Sequence, residues 1–136
     1  MTSIASRLTT STVRVRYAET DKMGVVYHSN YLVWFEIGRT DWLRDTGWTY
    51  RAMEQDGVGL PVIEAHCEYK TGARYDDELE VRTTARLVSA VRIAFDYTVV
   101  RRSDDALIAS GYTVHASVDH SGRPKRLPTR VKELFS

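Results

Sequence analysis

The sequence predicts an α+β fold in which an antiparallel sheet of about five strands wraps one long central helix. Tyr27, Tyr31, Trp34, Phe35, Gly38 and Trp42 recur at helical spacing along a single segment, the stripe of a helix that buries one face. Beyond Leu60 the apolar period shortens to two and holds for about sixty residues, which is the alternation of strands. The segments between those runs are too short for the crossover helices that parallel pairing needs, so the sheet is antiparallel.

Each element can be justified in turn. Residues 1–11, MTSIASRLTTS, carry few large apolar groups and no period. They read as a loose tail ahead of a folded domain over 12–136. Val13, Val15 and Tyr17 alternate with Arg14 and Arg16 as a half-buried strand that ends in AETDKMG. The long helix runs from about Asn30 to Asp45, with Ser29 placed as N-cap and Gly47 where a left-handed C-terminal residue is wanted. A short helix over Thr49 to Gln55 is broken by Gly57 and Gly59. A meander of four strands follows. Its faces are Ile63, Ala65, Cys67 and Tyr69; then Leu79, Val81, Thr83, Ala85 and Leu87; then Val91, Ile93, Phe95, Tyr97 and Val99; and last Ile108, Ser110, Tyr112, Val114, Ala116 and Val118. Tyr75-Asp76-Asp77, Arg102 to Asp105 and Asp119 to Gly122 are the turns, and Val131 to Phe135 close as a helical turn.

Composition excludes several classes of function. At 136 residues the chain is one domain, and 43% hydrophobic with 27% charged residues is a globular balance. Nineteen Lys and Arg against eighteen Asp and Glu leave a net charge of +1, which gives no field to hold a nucleic acid. Cys67 is the only cysteine and the four His are scattered, so neither an intramolecular disulfide nor a thiolate zinc site is expected. No stretch reaches the roughly 18 apolar residues of a membrane span, and the N-terminus lacks a signal-peptide core. The expectation is a cytoplasmic protein with no membrane insertion.

The segment Tyr17-Ala18-Glu19-Thr20-Asp21-Lys22-Met23-Gly24-Val25-Val26-Tyr27-His28-Ser29-Asn30-Tyr31 carries the most specific signal. Together with the order strand, central helix, strands, it resembles the 4-hydroxybenzoyl-CoA thioesterase family of hot-dog enzymes, including the Tol-Pal-associated acyl-CoA thioesterases. The shared pattern is D-x-x-G-x-V-[YF]-[HY]-x-x-Y leading into the helix. The resemblance extends through Arg39, Leu43 and the Tyr75-Asp76-Asp77 turn to about Pro128.

That resemblance implies hydrolysis of an acyl-CoA to a carboxylic acid and free coenzyme A, with no metal and no other cofactor. It makes Asp21 the catalytic carboxylate, as general base on a water or as nucleophile, and gives the backbone N–H of His28 the task of polarising the thioester carbonyl. Elementary chemistry agrees. Thioester hydrolysis develops an oxyanion, and the unpaired N–H groups of a helix N-terminus stabilise one; a carboxylate can activate water or attack directly. Gly24, Val25, Tyr27, Tyr31 and Trp34 are the candidate substrate-binding residues, and Arg92, Arg123, Lys125 and Arg126 the candidates for the coenzyme A phosphates.

Plainer readings stand beside these. An Asp before Gly caps its own turn, an aromatic stripe is usually core, and Glu36 with Arg39 makes a surface pair three residues apart. Unpaired sheet edges favour a homodimer or homotetramer with sites at the interface. The competing functions are a non-catalytic acyl-thioester binding module and a hot-dog dehydratase or hydratase.

Overall fold

The structure is a computed structural model and describes residues 7–135. Its elements are β1 (Thr9–Arg14), a 3-10 turn (Tyr17–Glu19), α1 (Asn30–Thr46), α2 (Tyr50–Gln55), β2 (Val62–Tyr69), β3 (Glu78–Ser89), β4 (Arg92–Arg101), β5 (Leu107–Ala116) and α3 (Thr129–Leu134). The five strands form one antiparallel sheet in the order β1-β3-β4-β5-β2, and α1 packs on β1, β3 and β4.

Several boundaries differ from expectation for local reasons. β1 opens at Thr9, because Thr9 and Ser11 pair with Thr83 and Val81 and their hydroxyls donate to Asp45 and Asp41 of α1; residues 1–6 of the expected tail lie outside the described part. Tyr17 leaves the sheet for the 3-10 turn, and Tyr27 precedes α1 and is exposed. Ser29 occupies the N-cap position of α1 without a side-chain cap bond. Gly47 does end the helix with φ +84°, and Thr49 caps α2 by accepting from the Ala52 N–H.

The four strands after Leu60 are not one meander. β3, β4 and β5 are consecutive neighbours, but β2 lies at the far edge beside β5. The chain from Tyr69 to Glu78 therefore crosses the end of two intervening strands, and this crossing later supports the site.

The helix buries Tyr31, Trp34, Phe35, Trp42 and Leu43 together with Gly38; each of the five large side chains contributes about 1.5–3 kcal/mol on burial. Gly38 sets the approach of helix to sheet: a Cβ there would overlap the Thr83 hydroxyl and stand 3.0 Å from Val81 Cγ1. On β5 the inward face is Ala109, Gly111, Thr113 and His115, which pair with Val99, Tyr97, Phe95 and Ile93, and not the set beginning at Ser110. Bulk explains it. Phe35 stacks on Tyr97 at 4.2 Å, and a Cβ on Gly111 would meet the Phe35 ring at 2.9 Å, so this part of β5 turns small and polar residues inward.

Those polar residues form a chain of fixed direction. The Leu60 carbonyl can only accept, so His115 Nδ1, 2.8 Å away, carries the proton. Nε2 then accepts from the Thr113 hydroxyl at 2.8 Å, and Thr113 accepts from the Tyr97 phenol at 2.6 Å. Arg39, expected to pair with Glu36 on the surface, instead brings its positive charge near the Tyr97 phenol. Burial lowers the His115 pKa and raises that of Tyr97, so both rings stay neutral and the chain keeps its polarity.

Candidate active site

Asp21 sits in a tight hairpin whose ends bridge at Thr20 and Val26. Its N–H donates to the Val25 carbonyl at 2.8 Å, its own carbonyl accepts from Gly24 at 3.0 Å, and Gly24 turns the chain with φ +80°, a conformation that costs glycine little. One carboxylate oxygen accepts from the Met23 N–H at 2.8 Å. The turn-capping role and exposure to a cleft coexist in one half-buried side chain, because that carboxylate lines two clefts. The larger, about 680 Å3, is formed with Tyr17, Lys22, Tyr27, Ser29 and Asn30. The smaller, about 280 Å3, is formed with Val25, His28, Tyr31 and Tyr69.

The hairpin is anchored to the crossing segment after β2. The Val26 N–H donates to the Ala73 carbonyl at 2.9 Å, Val25 bridges Arg74, and a Cβ on Gly72 would meet Val25 at 2.9 Å. Tyr31 projects from the first turn of α1 into the same wall, close to the backbone of Ala73, and burial raises its pKa.

His28 and Ser29 lead into α1, and among the described residues the N–H of neither meets a protein acceptor. The His28 ring is exposed, tilted against Tyr27 at 4.3 Å and edge-on to Tyr69 at 6.4 Å. The Tyr69 hydroxyl donates to the His28 carbonyl at 3.1 Å. Partial burial, with Cys67 and Tyr31 alongside, pushes the Tyr69 pKa up to about 12, so the phenol keeps its proton. A carboxylate beside open amide donors at a helix N-terminus can activate water and stabilise an oxyanion.

Of the expected site residues, Asp21, Val25, Tyr27, His28 and Tyr31 converge around these clefts, with Gly24 shaping the loop. Trp34 does not: it is 2% exposed, packed edge-on against Tyr31, and belongs to the core. Arg92, Arg123, Lys125 and Arg126 gather at the other end of the sheet. Arg92 pairs with Ala116 at the end of β5, and Lys125 bonds the Ser117 carbonyl just beyond it. From Ala109, the β5 partner of Tyr69, to Ala116 is roughly 23 Å at about 3.3 Å per residue. Lys125 also spends its ammonium group on the Asp56 and Gly57 carbonyls at 3.1 and 3.4 Å, so it caps the end of α2. Among the described residues no group of three or more His, Cys, Asp or Glu converges as metal ligands would, and no helix is long and apolar enough to cross a membrane.

Sequence reasoning missed Tyr69, which joins His28 across 41 positions of chain. Strand periodicity placed it on the apolar face of its strand, and only the crossing of β2 to the far edge brings that face to the helix N-terminus.

A hot-dog sheet and helix, with a carboxylate and open amide donors at the helix N-terminus, define a thioester-processing fold. The model of the thioesterase-like superfamily matches residues 15–135, and the chain belongs to that family. It is 37% identical to the putative acyl-CoA thioesterase YneP of Bacillus subtilis, over 79% of this chain and 77% of that one. It is 34% identical to the acyl-CoA thioesterase YbgC of Haemophilus influenzae, over 90% of each. Among solved structures, the DHNA-CoA thioesterase of Staphylococcus aureus superposes with a TM-score of 0.82 at 33% identity, covering 88% of this chain and 80% of that one.

Proposed function

We propose that Asp21 and the N-terminal amides of α1 hydrolyse an acyl-CoA to a carboxylic acid and free coenzyme A. The chain is an acyl-CoA thioesterase. The observation that carries the site is the position of Asp21 in both clefts, with His28 lining the smaller and Ser29 the larger, and with no protein acceptor for either N–H among the described residues. Asp21 takes a proton from a water, whose oxygen attacks the thioester carbonyl carbon. The amide donors hold the oxyanion of the tetrahedral intermediate. As that collapses, the C–S bond breaks and the proton on Asp21 passes to the departing thiolate, which leaves as the thiol.

The working unit is a homodimer. β2 presents an unpaired edge with Val62, Ile63 and Tyr69 each about half exposed, and such edges invite pairing with a second copy. Twofold pairing of β2 with itself is antiparallel. It sets the Val62 end of one protomer, where Arg92 and the 123–126 segment gather, against the Tyr69 end of the other, where Asp21 lies. Arg92, Arg123 and Arg126 of one copy then serve the coenzyme A phosphates at the Asp21 of its partner.

Thiol release from a panel of short, long and aromatic acyl-CoAs, native against Asp21→Asn, tests this reading. A loss of at least about a hundredfold is expected, the scale of a missing general base. Binding to the panel without turnover by the native chain would instead favour the non-catalytic module.

A further inference from the structure

A trans peptide is rigid and its N–H points opposite to its C=O, so whatever grips a carbonyl also aims the amide hydrogen of the same peptide. The two open donors at this site belong to consecutive peptides, and no cis bond interrupts them. The peptide carrying the His28 N–H has Tyr27 O as its carbonyl, held by the Asn30 N–H at 3.1 Å and by Asn30 Nδ2 at 3.2 Å. Asn30 Nδ2 also reaches the Glu19 carbonyl at 3.0 Å, which ties that grip to the 3-10 turn at its one buried residue. The peptide carrying the Ser29 N–H has His28 O as its carbonyl, which accepts from the Tyr69 hydroxyl at 3.1 Å and, at a longer 3.4 Å, from the Tyr31 N–H.

Ser29 makes no side-chain cap bond, so within the first turn only the long Tyr31 N–H bond helps Tyr69 to fix that second peptide. The Tyr69 ring is well placed for the task. It packs edge-on against Tyr31 at 5.1 Å and against His28 at 6.4 Å, and Cys67 lies beside it on the same strand face. With the His28 carbonyl turned toward Tyr69 in the smaller cleft, the Ser29 N–H faces away from it, into the larger cleft that Ser29 and Asp21 both line.

We propose that Tyr69 is a positioning residue: by gripping the His28 carbonyl, its hydroxyl aims the Ser29 N–H at the thioester oxygen beside Asp21. Asn30 does the same for the His28 N–H through the preceding peptide. The inference rests on the thioesterase reading of the Asp21 site. It adds a second oxyanion donor and gives the last residue of the edge strand a part in the reaction.

The test is Tyr69→Phe, which keeps the ring and its packing and removes only the grip. On the best-hydrolysed acyl-CoA of the panel, kcat is expected to fall about tenfold with KM within about twofold, less than the 10²–10³ of losing an oxyanion donor outright. Affinity for the matching CoA thioether, in which a methylene replaces the carbonyl, is expected to be unchanged, because that probe has no oxygen to be held. Asn30→Ala is expected to lower kcat in the same sense, which gives a second reading independent of β2. A native kcat in Tyr69→Phe, while Asp21→Asn is inactive, overturns the positioning role and leaves the thioesterase reading intact. Joint loss of kcat and thioether affinity also overturns it, since Tyr69 would then act on binding or folding. Full hydrolysis by Asp21→Asn overturns both.

Discussion

At the scale of single residues, backbone and side chain can hold different jobs at the same position. His28 offers an open N–H to the cleft while its ring stays exposed, so two substitutions separate the two roles. His28→Ala keeps the amide and is expected to retain activity within about tenfold. His28→Pro deletes the amide hydrogen and is expected to cost 10²–10³ in kcat, the usual toll of one oxyanion donor, with circular dichroism confirming that the helix survives. Equal losses in both would move the role to the imidazole. His115 is the opposite case, a buried ring that serves the fold. Burial lowers its pKa in the folded state, with Arg39 as the charged group facing it. Below the ordinary His value of 6.5 the unfolded chain therefore binds the proton first. Its contribution is whole above that pH and shrinks as pH falls toward the folded value, by up to about 1.4 kcal/mol per pH unit. Urea midpoints measured from pH 7.5 to 5 should show that decline, and His115→Gln should flatten it while lowering stability at pH 7.5.

At the scale of elements, the helix and its place on the sheet follow from spacing, and the register shows where spacing stops being informative. The stripe from Tyr31 to Trp42 located α1 within a residue or so at each end, and its glycine matters for a reason periodicity does not show. Gly38→Ala would drive a Cβ into the Thr83 hydroxyl, an overpacking that costs about 1–3 kcal/mol. Among the described residues that hydroxyl is buried without a hydrogen-bond partner, so Thr83→Ala gives up little and opens the space required. In thermal or urea unfolding, Gly38→Ala/Thr83→Ala should therefore be more stable than Gly38→Ala alone; plain additivity would place the destabilising contact elsewhere. The hairpin Asp21 to Val26 and the turns at Asp76 and Asp105, both with positive φ, were legible because Asp and Gly carry local turn chemistry. The inward face of β5, the crossing of β2 and the grip of Tyr69 were not. Each depends on a contact between distant segments: Phe35 over Gly111, β2 against β5, a phenol on His28. Alternation says that a strand has two faces, and when Tyr112 and Val114 lie on one and Thr113 and His115 on the other, it assigns the wrong face of this part of β5 to the core.

At the scale of the whole molecule, one protomer keeps its two candidate binding features apart. Asp21 and the helix N-terminus stand at the Tyr69 end of the sheet, the basic residues at the Arg92 and Ala116 end. A substrate whose thioester and phosphates must be held together cannot use both within one copy unless it spans the length of β5. Antiparallel pairing through β2 removes the difficulty by building each site from two chains, and this has a consequence that co-expression can read. A chain with Asp21→Asn keeps its basic cluster, and a chain with Arg123→Glu and Arg126→Glu keeps its Asp21. Lys125 is left alone, since it holds the end of α2. Each homodimer should be weak by itself. Random pairing makes half the dimers mixed, and each mixed dimer has one site with both parts native, so about a quarter of native activity should return. Sites confined to one protomer give no recovery, because every site then carries one of the two lesions. Ala65→Pro, placed in the exposed edge where proline removes a pairing N–H, should shift both the native chain and the mixture toward monomers in sedimentation and abolish the recovered activity with the dimer.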